Sequence, residues 1–319
     1  ENYLIKRANE FNEIILNKPM HEDIGERRMQ TYQGAFVMEP KIGFYNDVVF
    51  FDFRSLYPSI IVSKNIYPGN LNYKREGYET PEIINEDVSK SKYYFYTKKE
   101  CFIPQVVKDL IIRRNRIKEK IKNENNVTLK ARSYALKTVA NSTYGMYGFF
   151  GSRYYSKECA SSITAFGRQY IKDTIKKAED EGFVVIYSDT DSISVSLKNK
   201  TKNDALNFLK NVNVDLPSLM ELELENFYPR GIFVSKKGET QGAKKKYALI
   251  DENGKIKITG FETVRKDWSI IARETQSKVI ELILKEGNYE NALEYTRDII
   301  KKIKDNKIEL KKMIIKEQL

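Results

Sequence analysis

The sequence has few of the residues that several classes of site require. Its 319 residues include only two cysteines, Cys101 and Cys159, so no disulfide framework is indicated and a reducing compartment fits. The single histidine, His21, excludes histidine-rich metal sites and argues against imidazole chemistry. No apolar run approaches the roughly 18 residues of a membrane-spanning helix, so we expect no membrane partner. The first residues do not have the pattern of a signal peptide.

Positive charge is in excess. Lysine and arginine number 55 against 44 aspartates and glutamates, a formal net charge of +11. This excess favours a polyanionic partner, although an ordinary lysine-rich surface accounts for the charge equally well. The length fits one large domain or two to three small ones. The chain begins without methionine, and we expect a processed or excised piece of a longer polypeptide.

Two carboxylates stand at the tip of a predicted β-hairpin. An apolar run from Val184 leads into Ser-Asp-Thr-Asp-Ser, and a second apolar run ends at Val195, which is the pattern of strand, tight turn and strand. Asp189 and Asp191 at this tip could bind a divalent cation, because Mg²⁺ takes oxygen ligands from one or two carboxylates and from substrate phosphates. Taken alone, a solvated loop explains the stretch equally well.

A second acidic strand end lies earlier in the chain. Asp52 follows the short apolar run 48–51, which has β-strand character, and precedes a turn that contains Tyr57 and a proline. A helix N-cap explains Asp52 when it is considered alone. Two acidic strand ends that met around a pair of metal ions would instead suit in-line displacement at phosphorus.

A pair of helices is predicted between these strand ends. The first is basic and covers 104–123, and the second runs from about 128 to 144, after a short polar link. Polar residues repeat along each helix at the spacing of a single face: Arg114 and Lys118 on the first, and Lys137, Asn141 and Tyr144 on the second. Such faces can bind phosphates. A solvated basic face is the better interpretation of Arg114 and Lys118 alone.

Three motifs, in this order, resemble the polymerase motifs of the family B DNA polymerases and look most like those of archaeal replicative enzymes. They are DFRSLYPSII at 52–61, KTVANSTYG at 137–145 and YSDTDS at 187–192. The resemblance implies an α+β fold: an antiparallel palm sheet with helices, a helical-hairpin fingers insertion and a partial helical thumb. The implied domains are the palm at 1–103 and 150–240, the fingers at 104–149 and the partial thumb at 241–319.

The resemblance also implies template-directed DNA synthesis, in which a primer 3′-hydroxyl attacks the α-phosphate of a dNTP and pyrophosphate leaves. Two Mg²⁺ ions, replaceable by Mn²⁺, would bind Asp52 and Asp191, with Asp189 as the weaker ligand. Lys137 would assist the leaving pyrophosphate and complete the catalytic set. Glu221 and Glu223 alternate along a predicted strand and are candidates for an accessory third metal, although a solvent-facing acidic edge explains them equally well.

Contacts to nucleotide and DNA follow from the same resemblance. The implied nucleotide site contains the backbone of Phe53, Arg54, Ser55 and Leu56, the sugar gate Tyr57, the phosphate ligands Arg114, Lys118 and Lys137, and the base-pair pocket of Asn141 and Tyr144. The implied contacts to primer-template DNA are Tyr32, Gly34, Gly145, Lys244, Lys245, Lys246 and Tyr247. From the residues alone, a core aromatic explains Tyr57 and a glycine turn explains Gly34.

The chain departs from the family pattern in several places. The exonuclease motifs, the N-terminal domain and the rest of the thumb are absent, so we expect a second polypeptide or missing segments to supply them. An insertion at 236–243 precedes the lysines and makes Lys236 and Lys237 an alternative pair. We predict a cytoplasmic, nucleoid-associated location and an irregular segment at 17–31.

Two other functions are compatible with parts of the sequence. One is a non-catalytic DNA-binding subunit with a polymerase fold, against which Asp52, Asp189, Asp191 and Lys137 argue, because inactive relatives usually lose such residues. The other is an RNA-synthesising enzyme, against which Tyr57 argues.

Overall fold

The computed structural model describes residues 1–124, 126–265, 267–287 and 289–315. Contacts separate the chain into two compact units, each built from non-contiguous segments. The first unit comprises Glu1–Phe36, Phe53–Thr174 and Lys210–Glu223, and the second comprises Val37–Asp52, Ile175–Leu209 and Leu224–Leu319. The division into palm, fingers and thumb stays a prediction.

The described residues form ten α-helices and eleven strands. The helices are α1 Asn2–Ala8, α2 His21–Arg28, α3 Leu56–Ser63, α4 Phe102–Asn123, α5 Val127–Gly148, α6 Lys157–Asp180, α7 Lys202–Val214, α8 Ile270–Glu286, α9 Glu290–Lys304 and α10 Leu310–Met313. The strands are β1 Gly43–Arg54, β2 Leu71–Asn72, β3 Tyr78–Glu79, β4 Ile83–Ile84, β5 Lys90–Ser91, β6 Tyr94–Phe95, β7 Val184–Asp189, β8 Ser192–Ser196, β9 Glu221–Ser235, β10 Gly242–Ile250 and β11 Ile256–Thr259. No described helix is long and apolar enough to cross a membrane.

The first unit contains the predicted helix pair. Helices α4 and α5 are joined by three residues and pack against each other. The first half of α4 buries an apolar stripe that includes Val106, Val107 and Leu110, and its second half is basic. Helix α5 begins where the Asn126 side chain accepts hydrogen bonds from the backbone N–H groups of Thr128 and Leu129, at 2.9 and 3.2 Å. Both predicted helices are therefore confirmed.

The second unit contains a six-stranded sheet in the order β11-β10-β9-β1-β8-β7. Strand β1 pairs with β8, β8 with β7, β9 with β10 and β10 with β11, all antiparallel. The middle of β1 is buried on both faces: Phe50 lies in a cluster with Tyr187 and Phe233, and Phe51 packs against Phe208 at 5.4 Å between ring centroids. The predicted α+β class with an antiparallel sheet is confirmed.

The prediction of an irregular segment at 17–31 is wrong, because α2 occupies His21–Arg28. This helix buries none of its residues, so it lacks the apolar periodicity from which a helix is predicted. Charged residues at its two ends stabilise α2 instead. Asp23 accepts a hydrogen bond from the Met20 backbone N–H at 2.8 Å, and Arg27 and Arg28 lie in the last turn, where they complement the helix dipole.

Candidate active site

The carboxylates of Asp52 and Asp189 lie on one face of the sheet in the second unit. Asp52 on β1 is directly opposite Ser192 on β8, and Ser192 is directly opposite Asp189 on β7. Directly opposite residues of antiparallel strands point to the same face. The two aspartates therefore flank one small hydroxyl side chain, with their backbones about 10 Å apart across three strands.

The turn that follows Asp189 is unusually tight. The backbone N–H of Asp191 donates to the carbonyl of Asp189 at 2.7 Å, across the single residue Thr190. Thr190 has a φ of 59°, a region that β-branched residues rarely adopt. A three-residue turn of this hand is rare and strained. The predicted hairpin is confirmed, and the strained turn fixes Asp191 immediately beyond the row of paired residues.

A lysine from β10, which is separated from β7 by three strands in the sheet order, reaches Asp189. The Lys245 ammonium lies 3.0 Å from a carboxylate oxygen of Asp189, and the Lys245 backbone N–H donates to the Tyr187 hydroxyl at 3.0 Å. The Tyr187 hydroxyl in turn lies 3.4 Å from the same carboxylate oxygen. Lys245, predicted from sequence as a DNA contact, is thus an ion-pair partner of a candidate metal ligand.

A β-bulge places Lys245 in this position. The register of β9 and β10 shifts between Gly242 and Tyr247, and Lys245 has a φ of 61°. Gly260 makes the bulge possible: it has a φ of 69°, and a Cβ at this position would lie 2.0 Å from the Lys245 carbonyl oxygen. The backbone of Gly260 can approach this closely because glycine has no side chain.

The oxygen donors of this face fit a divalent metal of the Mg²⁺ class. Asp52 and Asp189 supply carboxylates, Ser192 supplies a hydroxyl between them, and Asp191 follows in the adjoining turn. Within the described ranges, no three His, Cys, Asp or Glu side chains are grouped closely enough to form a complete protein cage. Mg²⁺ keeps several waters and is bound by one or two carboxylates plus substrate phosphates, so it does not need such a cage.

Lys246 and Tyr247, also predicted DNA contacts, pack within the second unit. Lys246 lies 2.6 Å from the Glu262 carboxylate, and Tyr247 stacks on Phe233 with ring centroids 5.5 Å apart. Gln276 donates a second hydrogen bond to Glu262 at 2.6 Å. Burial opposes ionisation, but these partners outweigh it, and the pKa of Glu262 falls from 4.5 to about 2. Lys244 is exposed.

Replacing Glu262 by Gln is expected to lower the free energy of unfolding at pH 6 by about 1–2 kcal/mol, after allowance for solvent screening. Because the folded pKa is depressed, this stabilisation is present above pH 4.5 and declines as the pH falls towards 2. The difference between wild type and Glu262→Gln should therefore shrink by about half at pH 3. Urea unfolding at both pH values measures it. Glu281→Gln, on a partly exposed ion-pair partner in α8, is the matched control and should change stability by about 0.5 kcal/mol or less.

In the first unit, the residues after Asp52 form a positively charged turn. Ser55 has a left-handed φ of 54° and caps α3. Its hydroxyl accepts a hydrogen bond from Arg114 at 2.8 Å, which ties α4 to this turn. Burial, and then the charge of Arg54, lower the pKa of Arg114. The Nε atoms of both arginines are buried and have no acceptor among the described residues.

Glu221 and Glu223 form ion pairs with these cations. Arg54 lies 2.7 Å from Glu221 and also binds Glu223, and Lys118 lies 3.1 Å from Glu223. Burial would raise the pKa of Glu223, but Arg54 and Lys118 outweigh it and lower the value. Both glutamates therefore act as counter-ions here. Their assignment to an accessory metal stays a prediction.

The predicted gate Tyr57 lies in an aromatic group. Its ring centroid is 4.5 Å from that of Tyr144, whose hydroxyl lies 3.2 Å from the hydroxyl of Tyr32. Gly167 on α6 leaves room for the gate, because a Cβ there would lie 2.9 Å from a ring carbon of Tyr57. Three predicted site residues are thus brought together, and the position of the gate ring is set by its neighbours.

Arg168 anchors the segment that contains Tyr32 and Gly34. This arginine is 8% exposed and donates to the carbonyls of Gln33 and Gly34 at 2.8 and 2.7 Å. Thr164, one turn earlier on α6, donates to the Gln33 carbonyl at 2.8 Å. The backbone of this segment is therefore held by α6.

The remaining predicted residues of the first unit lie on α5. Lys137, Asn141 and Gly145 are exposed. A Cβ added at Gly145 or at Gly34 would contact no other atom within 4 Å, so both glycines face open space. Leu56 and Phe53 are buried, in agreement with a backbone role for this stretch.

Sequence reasoning does not predict two side-chain roles and one contact of the site. These are the side chains of Arg54 and Arg168 and the ion pair between Lys245 and Asp189. The sequence signal for Arg168 is that it is the one charged residue between Glu158 and Lys172. No local pattern indicates the other two, since both depend on which strands become neighbours.

Similarity to known proteins extends over the whole chain. The sequence pattern of the family described as DNA polymerase family B matches residues 1–319. The DNA polymerases of Pyrococcus glycovorans and Thermococcus gorgonarius are 42% and 41% identical over 99% of this chain, and that of Archaeoglobus fulgidus is 34% identical over 98%. The chain spans only 40%, 40% and 37% of their respective lengths.

A solved structure agrees with this result. The family B DNA polymerase from the hyperthermophilic archaeon Pyrobaculum calidifontis matches with a TM-score of 0.72 and 32% identity, over 98% of this chain and 39% of that one. This chain therefore belongs to DNA polymerase family B.

Proposed function

We propose that this chain is the polymerase core of a DNA-directed DNA polymerase that adds dNTPs to a primer 3′-hydroxyl. One observation carries the proposal: the carboxylates of Asp52 and Asp189 flank Ser192 on a single sheet face, next to the strained turn that holds Asp191. If the stretch from Asp189 to Asp191 were only a solvent-exposed loop, neither the strained turn nor a second carboxylate in register with Asp189 would be expected. Membership of DNA polymerase family B supports the same conclusion.

Asp52 and Asp191, with Asp189 as the weaker ligand, would hold two Mg²⁺ ions. When bound, such ions supply Lewis-acid stabilisation of charge on the reacting phosphoryl oxygens. The 3′ oxygen forms a bond to the α-phosphorus as the bond to the β-phosphate oxygen breaks, and the hydroxyl proton passes to solvent.

The cationic residues of the first unit would bind the triphosphate. The half-buried Arg114 is held by Ser55, and Lys118 lies one turn further along the same face of α4. Lys137 is exposed on α5, and its ammonium group would stabilise the negative charge that develops on the departing pyrophosphate. The aromatic ring of Tyr57 would lie against the sugar.

Primer-template DNA would contact Tyr32, Gly34, Gly145 and the lysines at 244–246. The open space in front of Gly34 and Gly145 supports a close approach of DNA to the backbone at these points. Since the chain spans about two fifths of its relatives' length, we propose that missing segments or a second polypeptide supply the N-terminal and exonuclease domains and the rest of the thumb.

Primer extension by this chain alone tests the proposal. With Mg²⁺, four dNTPs and low salt, we expect template-dependent extension of a labelled primer. Low salt favours the reaction because phosphate contacts weaken steeply as salt rises. Chelation of the metal should stop extension while primer-template binding persists.

The contrary result is a chain that binds primer-template tightly and extends nothing, even when the corresponding segments of a relative are added in trans. That outcome would support a non-catalytic DNA-binding subunit. Incorporation of ribonucleotides in preference to dNTPs would contradict the assignment of DNA as product.

A further inference from the structure

Glu223 holds one of the cations that the proposed function assigns to the triphosphate. Both of its carboxylate oxygens lie within reach of the Lys118 ammonium, at 3.1 and 3.4 Å. The side chains of Glu223 and Lys118 are 33% and 29% exposed, so the pair is partly open to solvent and to a ligand. Carboxylate and phosphate oxygens accept the same hydrogen bonds from an ammonium group.

The charges around Glu223 are unevenly distributed. Arg54 has two carboxylate partners, Glu221 and Glu223, and keeps one of them if Glu223 is lost. Arg114 is bound by a neutral hydroxyl from Ser55. Lys118 is therefore the phosphate-binding candidate whose charge is neutralised by a carboxylate in this structure.

Glu223 is ionised at neutral pH. Although burial acts to raise its pKa, the hydrogen bonds and charges of Arg54 and Lys118 outweigh this effect and lower it. A polyphosphate that approached Arg114 would meet this negative charge and would need Lys118 to change partner. The position of Glu223 on β9, two residues from Glu221 and on the same strand face, keeps the carboxylate fixed while the lysine stem can move.

We propose that Glu223 is a built-in competitor for nucleotide phosphates, which holds Lys118 in the absence of nucleotide and releases it to a polyphosphate. This inference rests on the proposed function and deepens it, since it names the contact that a nucleotide must break. It makes Glu223 a determinant of polyphosphate affinity. The expected result is a site that binds its nucleotide more weakly than the cations alone would allow, and that releases pyrophosphate more readily.

Calorimetric titration with inorganic tripolyphosphate, without metal or DNA, tests the inference on the full chain. Glu223→Gln keeps the size of the side chain and removes its charge, and it should tighten binding by about threefold or more. Glu82→Gln is the matched control, because Glu82 is an exposed glutamate of the first unit whose charge partners are Lys90 and Lys92, and it should leave the affinity unchanged. Lys118→Met should weaken binding and remove the gain from Glu223→Gln when the two are combined.

The remaining outcomes would contradict either this inference or the proposed function. Unchanged or weaker binding by a folded Glu223→Gln would overturn the inference and would assign Glu223 to holding Arg54 in place. If that variant fails to fold, Glu223→Asp gives the same test, since a shorter carboxylate should also release Lys118 and tighten binding. If Arg114→Met and Lys118→Met both leave tripolyphosphate binding unchanged, the phosphate site of the proposed function is itself wrong.

Discussion

Replacing Asp191 by Asn is expected to reduce the rate of primer extension by about a thousandfold or more, with little change in primer-template affinity. The substitution keeps the size of the side chain and removes the negative charge that we assign to a metal ion. Asp191 directly follows the strained residue Thr190, and its own N–H holds the turn through the Asp189 carbonyl. Single-turnover extension and a DNA-binding titration on the same preparation measure the two quantities separately.

Two further variants test the ranking of the metal ligands and provide a control. Asp189→Asn should cost less than Asp191→Asn, because we assign Asp189 as the weaker of the two metal ligands. Asp305→Asn removes an exposed carboxylate beside Lys307 and should leave extension unchanged. A near-normal rate for Asp191→Asn would refute the metal assignment, and equal losses in the two hairpin variants would refute the ranking of the ligands.

The parts of the site that sequence reasoning found are those with a local signal. An apolar run that ends on an acid predicts a strand end, and this was sufficient for both Asp52 and Asp189. The helix pair follows from spacing, a proline near the first turn and a polar link. Each of these signals is contained within about twenty residues, so no knowledge of tertiary neighbours was needed.

The missed contacts all depend on tertiary neighbours. Lys245 reaches Asp189 only because a bulge turns it out of the β10 register, and the bulge exists because Gly260 packs against its carbonyl. Neither position contains a glycine-rich or acidic pattern that would have indicated the pairing. Similarly, Arg54 pairs with Glu221 and Glu223, which lie 167 and 169 positions later in the chain. Helix α2 was missed for the opposite reason, since charge at its ends replaces the apolar pattern.

Replacing Tyr57 by Ala is expected to reduce discrimination against ribonucleotides by roughly tenfold to a hundredfold. This factor corresponds to the free-energy cost of forcing a 2′-hydroxyl against the packed Tyr57 ring. The ring contacts Tyr144 on one side, with centroids 4.5 Å apart, and lies close to Gly167 on α6, where a Cβ would lie 2.9 Å from a ring carbon. A ring fixed in this way cannot move aside for a 2′-hydroxyl. The ratio of kcat/KM for dNTP to that for rNTP, measured on one template, gives the effect.

Tyr57→Phe separates the ring from its hydroxyl. It should keep the discrimination of the wild type, because the proposed exclusion is steric and depends on the ring alone. Tyr144→Ala removes the neighbour that restrains the ring and should relax discrimination partly, while Tyr155→Phe, which alters a tyrosine bound to Gln30, should not. If Tyr57→Ala extends slowly yet rejects ribonucleotides as strongly as the wild type, then the ring is a packing residue of α3 and the sugar is selected elsewhere.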